Sequence, residues 1–238
     1  MFRTIICVVR LFFYLLSLNG RLKHVQKLSL DNNISEHDRL VTNYVREWAK
    51  YVLKISGVTV DVSGLENIPN ETVIFVCNHR SFFDIPVLLA SLDKPYGLMS
   101  KDSIKKIPFI GKWMRELNCV FVDRDNARKA VLSLNLVGEN LDQGYSMIIF
   151  PEGTRNKTSN LLKFKTGAFK LAVEKKVSVV PIFMTGTAEI FEKNNYRIKP
   201  NHVTVKILPK ITVTNNSDYK TILDNAYDMI SKNQDLSS

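Results

Sequence analysis

His79 and Asp84 stand five positions apart in N-H-R-S-F-F-D, residues 78–84, between the apolar runs TVIFVC and IPVLLA. A carboxylate that accepts a hydrogen bond from one imidazole nitrogen fixes the tautomer and leaves the other nitrogen free to take a proton from a hydroxyl. On a regular helix this spacing turns the two side chains about 140° apart, so they meet only if the histidine lies in a turn and the aspartate in the first turn of the helix that follows. Ser81 and Cys77 are the nearby groups that could form a covalent intermediate; otherwise the attacking hydroxyl belongs to a substrate, which is the course we prefer. The structural alternative is a histidine that satisfies a buried loop and an aspartate that caps a helix.

Two further clusters follow apolar runs in the same way. I-I-F-P-E-G-T-R, residues 148–155, carries Glu152 and Arg155 around Gly153, which lets the backbone turn and approach a ligand closely. V-F-V-D-R-D carries Asp123 and Arg124, with Lys101 and S-I-K-K-I-P-F-I-G-K-W shortly upstream. Arginine presents a planar fork that matches phosphate oxygens. Any one of these groups alone reads equally as a surface ion pair; their repetition at the ends of apolar runs argues for one shared site.

The elements that must position these residues are legible from periodicity. VTVDV, TVIFVC, CVFVD, SMIIF, SVVPIF and VTVKIL are short and rich in Val and Ile, as strands are. Between several of them lie helical stretches, IPVLLASL, SIKKIPFIGKWMREL, ARKAVLSLNLVGENL, FKTGAFKLAVEKK and finally YKTILDNAYDMISK. Alternation of this kind predicts an α/β domain over residues 57–238, with a mostly parallel central sheet flanked by helices and its chemistry at the carboxyl ends of the strands.

Residues 1–56 differ in character. TIICVVRLFFYLLSL, residues 4–18, is almost wholly apolar but shorter than the roughly 20 residues that span a bilayer, and Arg10 interrupts it. Neither a simple span nor a secretory signal fits. Beyond a polar turn, Ser35 and Asp38 resemble a capping pair. Val41, Tyr44, Val45, Trp48, Val52 and Ile55 then share one helical stripe, opposite Arg46, Lys50 and Lys54. Such a helix suits a membrane interface or a packed surface equally, and the apolar segment before it favours the membrane.

The excess of 33 Lys and Arg over 23 Asp and Glu gives a formal charge of +10, which draws polyanions without choosing among them. Nucleic acid is disfavoured, because the aromatics sit inside apolar runs and no Gly-rich phosphate loop occurs. A serine esterase is disfavoured by the lack of a G-x-S-x-G elbow. Cys7, Cys77 and Cys119 are too scattered for a disulfide framework or a zinc site, and we read them as reduced in a cytoplasmic setting.

NHRSFFD, VFVDR, FPEGTR and VVPI, in this order and spacing, resemble the four blocks of the glycerolipid acyltransferase family, in particular its bacterial 1-acyl-glycerol-3-phosphate acyltransferases, over about residues 64–208. The resemblance implies His79 as general base and Asp84 as its orienter, with Arg124, Glu152, Gly153 and Arg155 binding a phosphorylated acceptor. Lys101 is similar to a family lysine that faces phosphate, although Asp102, Ser103 and Lys112 depart from the usual surroundings. The implied reaction moves a fatty acyl group from an acyl carrier protein or coenzyme A thioester to the 2-hydroxyl of lysophosphatidic acid, giving phosphatidic acid. It needs no metal or bound cofactor, and it places the protein on the cytoplasmic face of a membrane, with an N-terminal helical segment docked to lipid. A lysophospholipid acyltransferase with another acceptor, or a non-catalytic phospholipid-binding protein, is the alternative.

Overall fold

The structure is a computed structural model that describes residues 2–93, 96–123, 127–158 and 160–235. Three helices open the chain, α1 (Phe2–Ser17), α2 (Asn19–Leu30) and α3 (Ile34–Ser56). Then come β1 (Thr59–Ser63), β2 (Val73–Cys77), α4 (Asp84–Ser91), β3 (Tyr96–Lys101), α5 (Ile110–Glu116), β4 (Val120–Val122), α6 (Ala127–Asp142) and β5 (Ser146–Ile149). The chain ends with α7 (Gly167–Lys175), β6 (Ser178–Thr185), β7 (His202–Ile207) and α8 (Tyr219–Asp235). The described strands form one seven-stranded sheet in the order β1-β7-β6-β2-β5-β3-β4. Every pairing in it is parallel except β6 with β7.

The expected α/β architecture is therefore the one observed, and β2 shows why its strands lack an amphipathic alternation. Successive side chains of a strand point to opposite faces. Val73, Phe75 and Cys77 enter one core, with α2 to α5, while Ile74 and Val76 enter the other, with α6 to α8. All five β2 residues are buried, as a strand covered by helices on both faces requires.

The structure departs from the sequence expectations in four places. Tyr96–Lys101, not anticipated as a strand, is β3 and pairs with both β4 and β5. The single helix expected from Ser103 onward is instead a 3-10 turn at Asp102–Lys106 and the separate α5. Pro108, which lacks an N–H, and Phe109 at φ +64° break it. Close packing then depends on Gly111, where a Cβ would stand 2.1 Å from the Lys105 carbonyl oxygen. Ser35 and Asp38 do not cap α3, whose first helical residue is Ile34 and whose N-cap, Asn33, makes no side-chain bond. The apolar stripe of α3 is not free for lipid either: Val41, Val45 and Val52 are buried in the core that α3 forms with α2 and α4, with Ala49 completing the seam. The exposed apolar face belongs to α1, where Phe2, Ile5, Val8, Phe12 and Phe13 are each more than half exposed. Among the described residues no single helix is long and apolar enough to cross a membrane. The pair α1 and α2 meets that test together but is bent by 42°.

Candidate active site

Strand register brings the two principal motifs together. Val76 of β2 lies opposite Ile149 of β5, so His79 and Glu152, each three residues further on, leave the sheet side by side. The main-chain N–H of His79 donates to Glu152 Oε1 at 2.7 Å. On the other side Asn78 fastens the loop to β6: its amide Nδ2 donates to the Met184 carbonyl, and its Oδ1 accepts from Met184 N–H, both at 2.8 Å. The Asn156 N–H donates to the His79 carbonyl at 2.6 Å. His79 thus sits on a turn held from two neighbouring segments, the loop after β5 and strand β6.

Asp84 is the first residue of α4, where the helix N-terminus favours a carboxylate. Its Oδ2 accepts the N–H groups of Arg80 at 2.7 Å and Ser81 at 2.9 Å, and it lies 2.7 Å from His79 Nδ1. The histidine lies in the turn and the aspartate in the first helical turn, as their spacing demands. Asp84 is 1% exposed, and in so dry a setting the bond holds Nδ1 as the N–H and leaves Nε2 to accept a proton. The imidazole stacks on Phe150, with ring centroids 4.0 Å apart.

Neither nearby candidate nucleophile is available. Cys77 is fully buried, and burial, reinforced by Asp84 and Glu152, pushes its thiol well above the ordinary range. Ser81 is also fully buried. Its hydroxyl donates to Glu192 Oε2 at 2.6 Å while accepting the Phe83 N–H at 3.0 Å.

His79 opens onto a cavity of about 540 Å³, within the ~300–1,000 Å³ range of ligand sites. Its walls are largely apolar and come from separate elements: Leu18, Trp48 of α3, Leu89 of α4, Leu98 of β3, and Trp113 and Leu117 around the end of α5. Lys101 and Arg155 are the cations among its described lining residues. An imidazole backed by a carboxylate, a greasy chamber and two cations together make a site for an amphiphile that carries a hydroxyl and an anionic group. No group of three or more His, Cys, Asp or Glu side chains that could hold a metal ion occurs among the described residues.

The family model described as acyltransferase matches residues 59–185, more than half of the chain. The chain belongs to the acyltransferase family. The chain is 40% identical over 151 residues to a chloroplast 1-acyl-sn-glycerol-3-phosphate acyltransferase of Arabidopsis thaliana, across 63% of this chain and 42% of the relative. It is 30% identical over 183 residues to a 1-acyl-sn-glycerol-3-phosphate acyltransferase of Borreliella burgdorferi, across 76% of this chain and 73% of the relative. The crystal structure of the 1-acyl-sn-glycerophosphate (LPA) acyltransferase PlsC from Thermotoga maritima superposes with a TM-score of 0.85 at 26% identity, covering 98% of this chain and 95% of that one. The chain spans about half the length of several curated relatives it matches.

The remaining expected site residues are placed unequally. Arg155 and Lys101 join His79 at the cavity. Arg124 lies outside the described residues. Glu152, expected against the acceptor, occupies a different post: it is 4% exposed, and its second oxygen accepts the Leu162 N–H at 3.1 Å. Burial raises its carboxyl, while the His79 and Leu162 amides pull the other way. With both oxygens turned to main chain, Glu152 shapes the turn under His79 and does not reach into the cavity. Gly153, at φ +72°, supplies the bend, and a Cβ there would stand 2.7 Å from the Lys165 side chain, so its neighbour is a lysine stem and not the cavity. Two contributors escaped sequence reading. Phe82, whose ring lies 3.5 Å from the Arg155 guanidinium carbon, stands inside the NHRSFFD block but has no charge or spacing that marks it, and Glu192, which bonds that guanidinium, lies in no block at all.

Proposed function

We propose that the chain transfers a fatty acyl group from an acyl thioester to the 2-hydroxyl of 1-acyl-glycerol-3-phosphate, giving phosphatidic acid. The observation that carries this reading is the His79 Nδ1–Asp84 Oδ2 bond of 2.7 Å at the mouth of an apolar cavity that also presents Lys101 and Arg155. The similar proteins named 1-acyl-sn-glycerol-3-phosphate acyltransferase support the choice of acceptor.

His79 Nε2 removes the proton of the 2-hydroxyl as its oxygen attacks the thioester carbonyl. The tetrahedral adduct collapses, the C–S bond breaks, and the imidazolium returns the proton to the departing thiolate. The chain itself is never acylated. Asp84 holds the ring in the productive tautomer and stabilises the imidazolium. Positioned proton transfer of this kind contributes about 10²–10⁴-fold in rate, and fixing the acceptor adds an entropic share. Arg155, Lys101 and Arg124 hold the phosphate, while acyl methylenes fill the cavity. The acyl donor is a thioester of acyl carrier protein or coenzyme A, either of which suits a chain of charge +10. Helix α1 lays its apolar face on the membrane, and Leu15 and Leu18, at its carboxyl end, bring that surface to the cavity wall. The cytoplasmic face, where both donors occur, is the side we assign.

The test offers the purified chain in detergent labelled acyl-carrier-protein and acyl-coenzyme A thioesters with lysophosphatidic acid and lysophosphatidylcholine. Preferential acylation of lysophosphatidic acid is expected. Equal use of the two lipids defeats the acceptor assignment, and lipid binding without transfer identifies a binding protein.

A further inference from the structure

Glu192 lies beyond residue 185, where the family match ends, in a 3-10 turn (Glu192–Asn194) between β6 and β7. Its carboxylate nevertheless gathers three donors from the site. Oε1 accepts the Phe82 N–H at 2.8 Å and a guanidinium N–H of Arg155 at 3.2 Å, while Oε2 accepts the Ser81 hydroxyl at 2.6 Å. Phe82 and Ser81 belong to the loop that carries His79, whereas Arg155 comes from the loop after β5. The Arg155 guanidinium carbon also lies over the Phe82 ring, 3.5 Å from its centroid. The acidic side chain is 15% exposed and that of Arg155 is 35% exposed, so Glu192 sits behind a cation that faces the cavity.

We infer that Glu192 is a positioning residue for the acceptor phosphate, which fixes the separation between the base and Arg155 by tying both loops to one carboxylate. The inference rests on the acyl-transfer reading above. An arginine fork binds phosphate well only when its plane is aimed beforehand, because otherwise the long side chain loses rotamer freedom on binding. Here the Phe82 ring supports the guanidinium on one side and Glu192 holds one of its N–H groups. The same carboxylate steadies Ser81, whose N–H is one of the two that hold Asp84.

The consequence is a selective effect on acceptor binding. Glu192→Ala removes one charge-assisted tether and is expected to raise KM for lysophosphatidic acid about tenfold while kcat changes by no more than about threefold. Glu192→Gln, which keeps an oxygen for the Phe82 N–H, is expected to raise KM only about threefold, and it carries the comparison if the alanine variant does not accumulate. In an Arg155→Ala background either substitution should add little, because the path runs through the guanidinium. A KM that is unchanged or lowered overturns the inference, since the carboxylate would then merely compete with phosphate for Arg155. A fall in kcat without a rise in KM, or full additivity with Arg155→Ala, overturns it as well and makes Glu192 a support of the loop alone. A wild-type chain that does not acylate lysophosphatidic acid defeats the functional reading itself, and the inference with it.

Discussion

At the scale of single residues, one turn beyond β2 divides its tasks between groups that meet solvent and groups that do not. His79 keeps an edge on the cavity, while Asp84, Glu152 and Ser81 are buried and spend their hydrogen bonds on main chain, on the His79 ring and on Glu192. The role of Glu152 follows from that division. Glu152→Gln replaces one of the two oxygens that receive the His79 and Leu162 amides by a donor, leaving a buried N–H without a partner. The expected cost is about 1–3 kcal/mol of stability, read as a lower denaturant midpoint, with turnover reduced because the His79 main chain shifts. An unchanged midpoint would contradict that placement. Cys77 gives a pH dependence. Its folded thiol is held protonated by burial, whereas in the unfolded chain it ionises near the ordinary 9.0. The folded state therefore binds more protons above that pH, and stability falls as pH rises. Cys77→Ala should flatten that fall above pH 9, by at most about 1.4 kcal/mol per pH unit, seen by comparing urea midpoints, and should retain turnover.

At the scale of elements, the parallel pair β2–β5 sets the site and β3 sets its wall. The meeting of His79 with Asp84 was legible in the sequence because only a strand-turn-helix junction lets residues five apart meet. The alternation of Val-rich runs with helices likewise disclosed the fold. β3 was not legible: Gly97 and Ser100 interrupt its apolar run, and its burial depends on neighbours far along the chain. The antiparallel sense of β7 is not written in VTVKIL, which reads as a strand in either direction. Glu192 was invisible because no motif flanks it, and its importance arises only when its turn folds back onto the loop after β2. The cavity walls share this long-range origin, since Leu98 meets Trp113 and Trp48 only in the folded chain. Leu98→Trp should occupy part of the chamber and move the preferred acyl donor to shorter chains. Each excluded methylene costs about 0.8 kcal/mol, or roughly fourfold in kcat/KM. A ladder of acyl-coenzyme A thioesters measures this, and an unchanged chain-length profile would contradict the assignment of the cavity to acyl groups.

At the scale of the whole molecule, an apolar helix and a surplus of cations lie on a protein whose cavity reaches toward that helix. Phe12 and Phe13 are 55% and 63% exposed on α1, an arrangement that water disfavours and a lipid interface relieves. Phe12→Glu with Phe13→Glu should weaken sedimentation with anionic vesicles at least tenfold, two buried rings being worth roughly 3 kcal/mol or more. Activity toward acceptor in those vesicles should fall in parallel, while activity in detergent micelles is retained; equal binding by both proteins would contradict a docking role. The proposed acyl transfer turns on proton removal by an imidazole steered from Asp84, with no acylated form of the chain. Its most direct test is the initial rate of acyl transfer to lysophosphatidic acid in detergent for wild type, His79→Ala and Asp84→Asn. The expected result is a fall of about 10²–10⁴-fold for His79→Ala and a smaller fall for Asp84→Asn, with KM for the acceptor little changed in both. A His79→Ala enzyme that keeps its rate within a few-fold of wild type, or a chain that carries the labelled acyl group covalently, would contradict it.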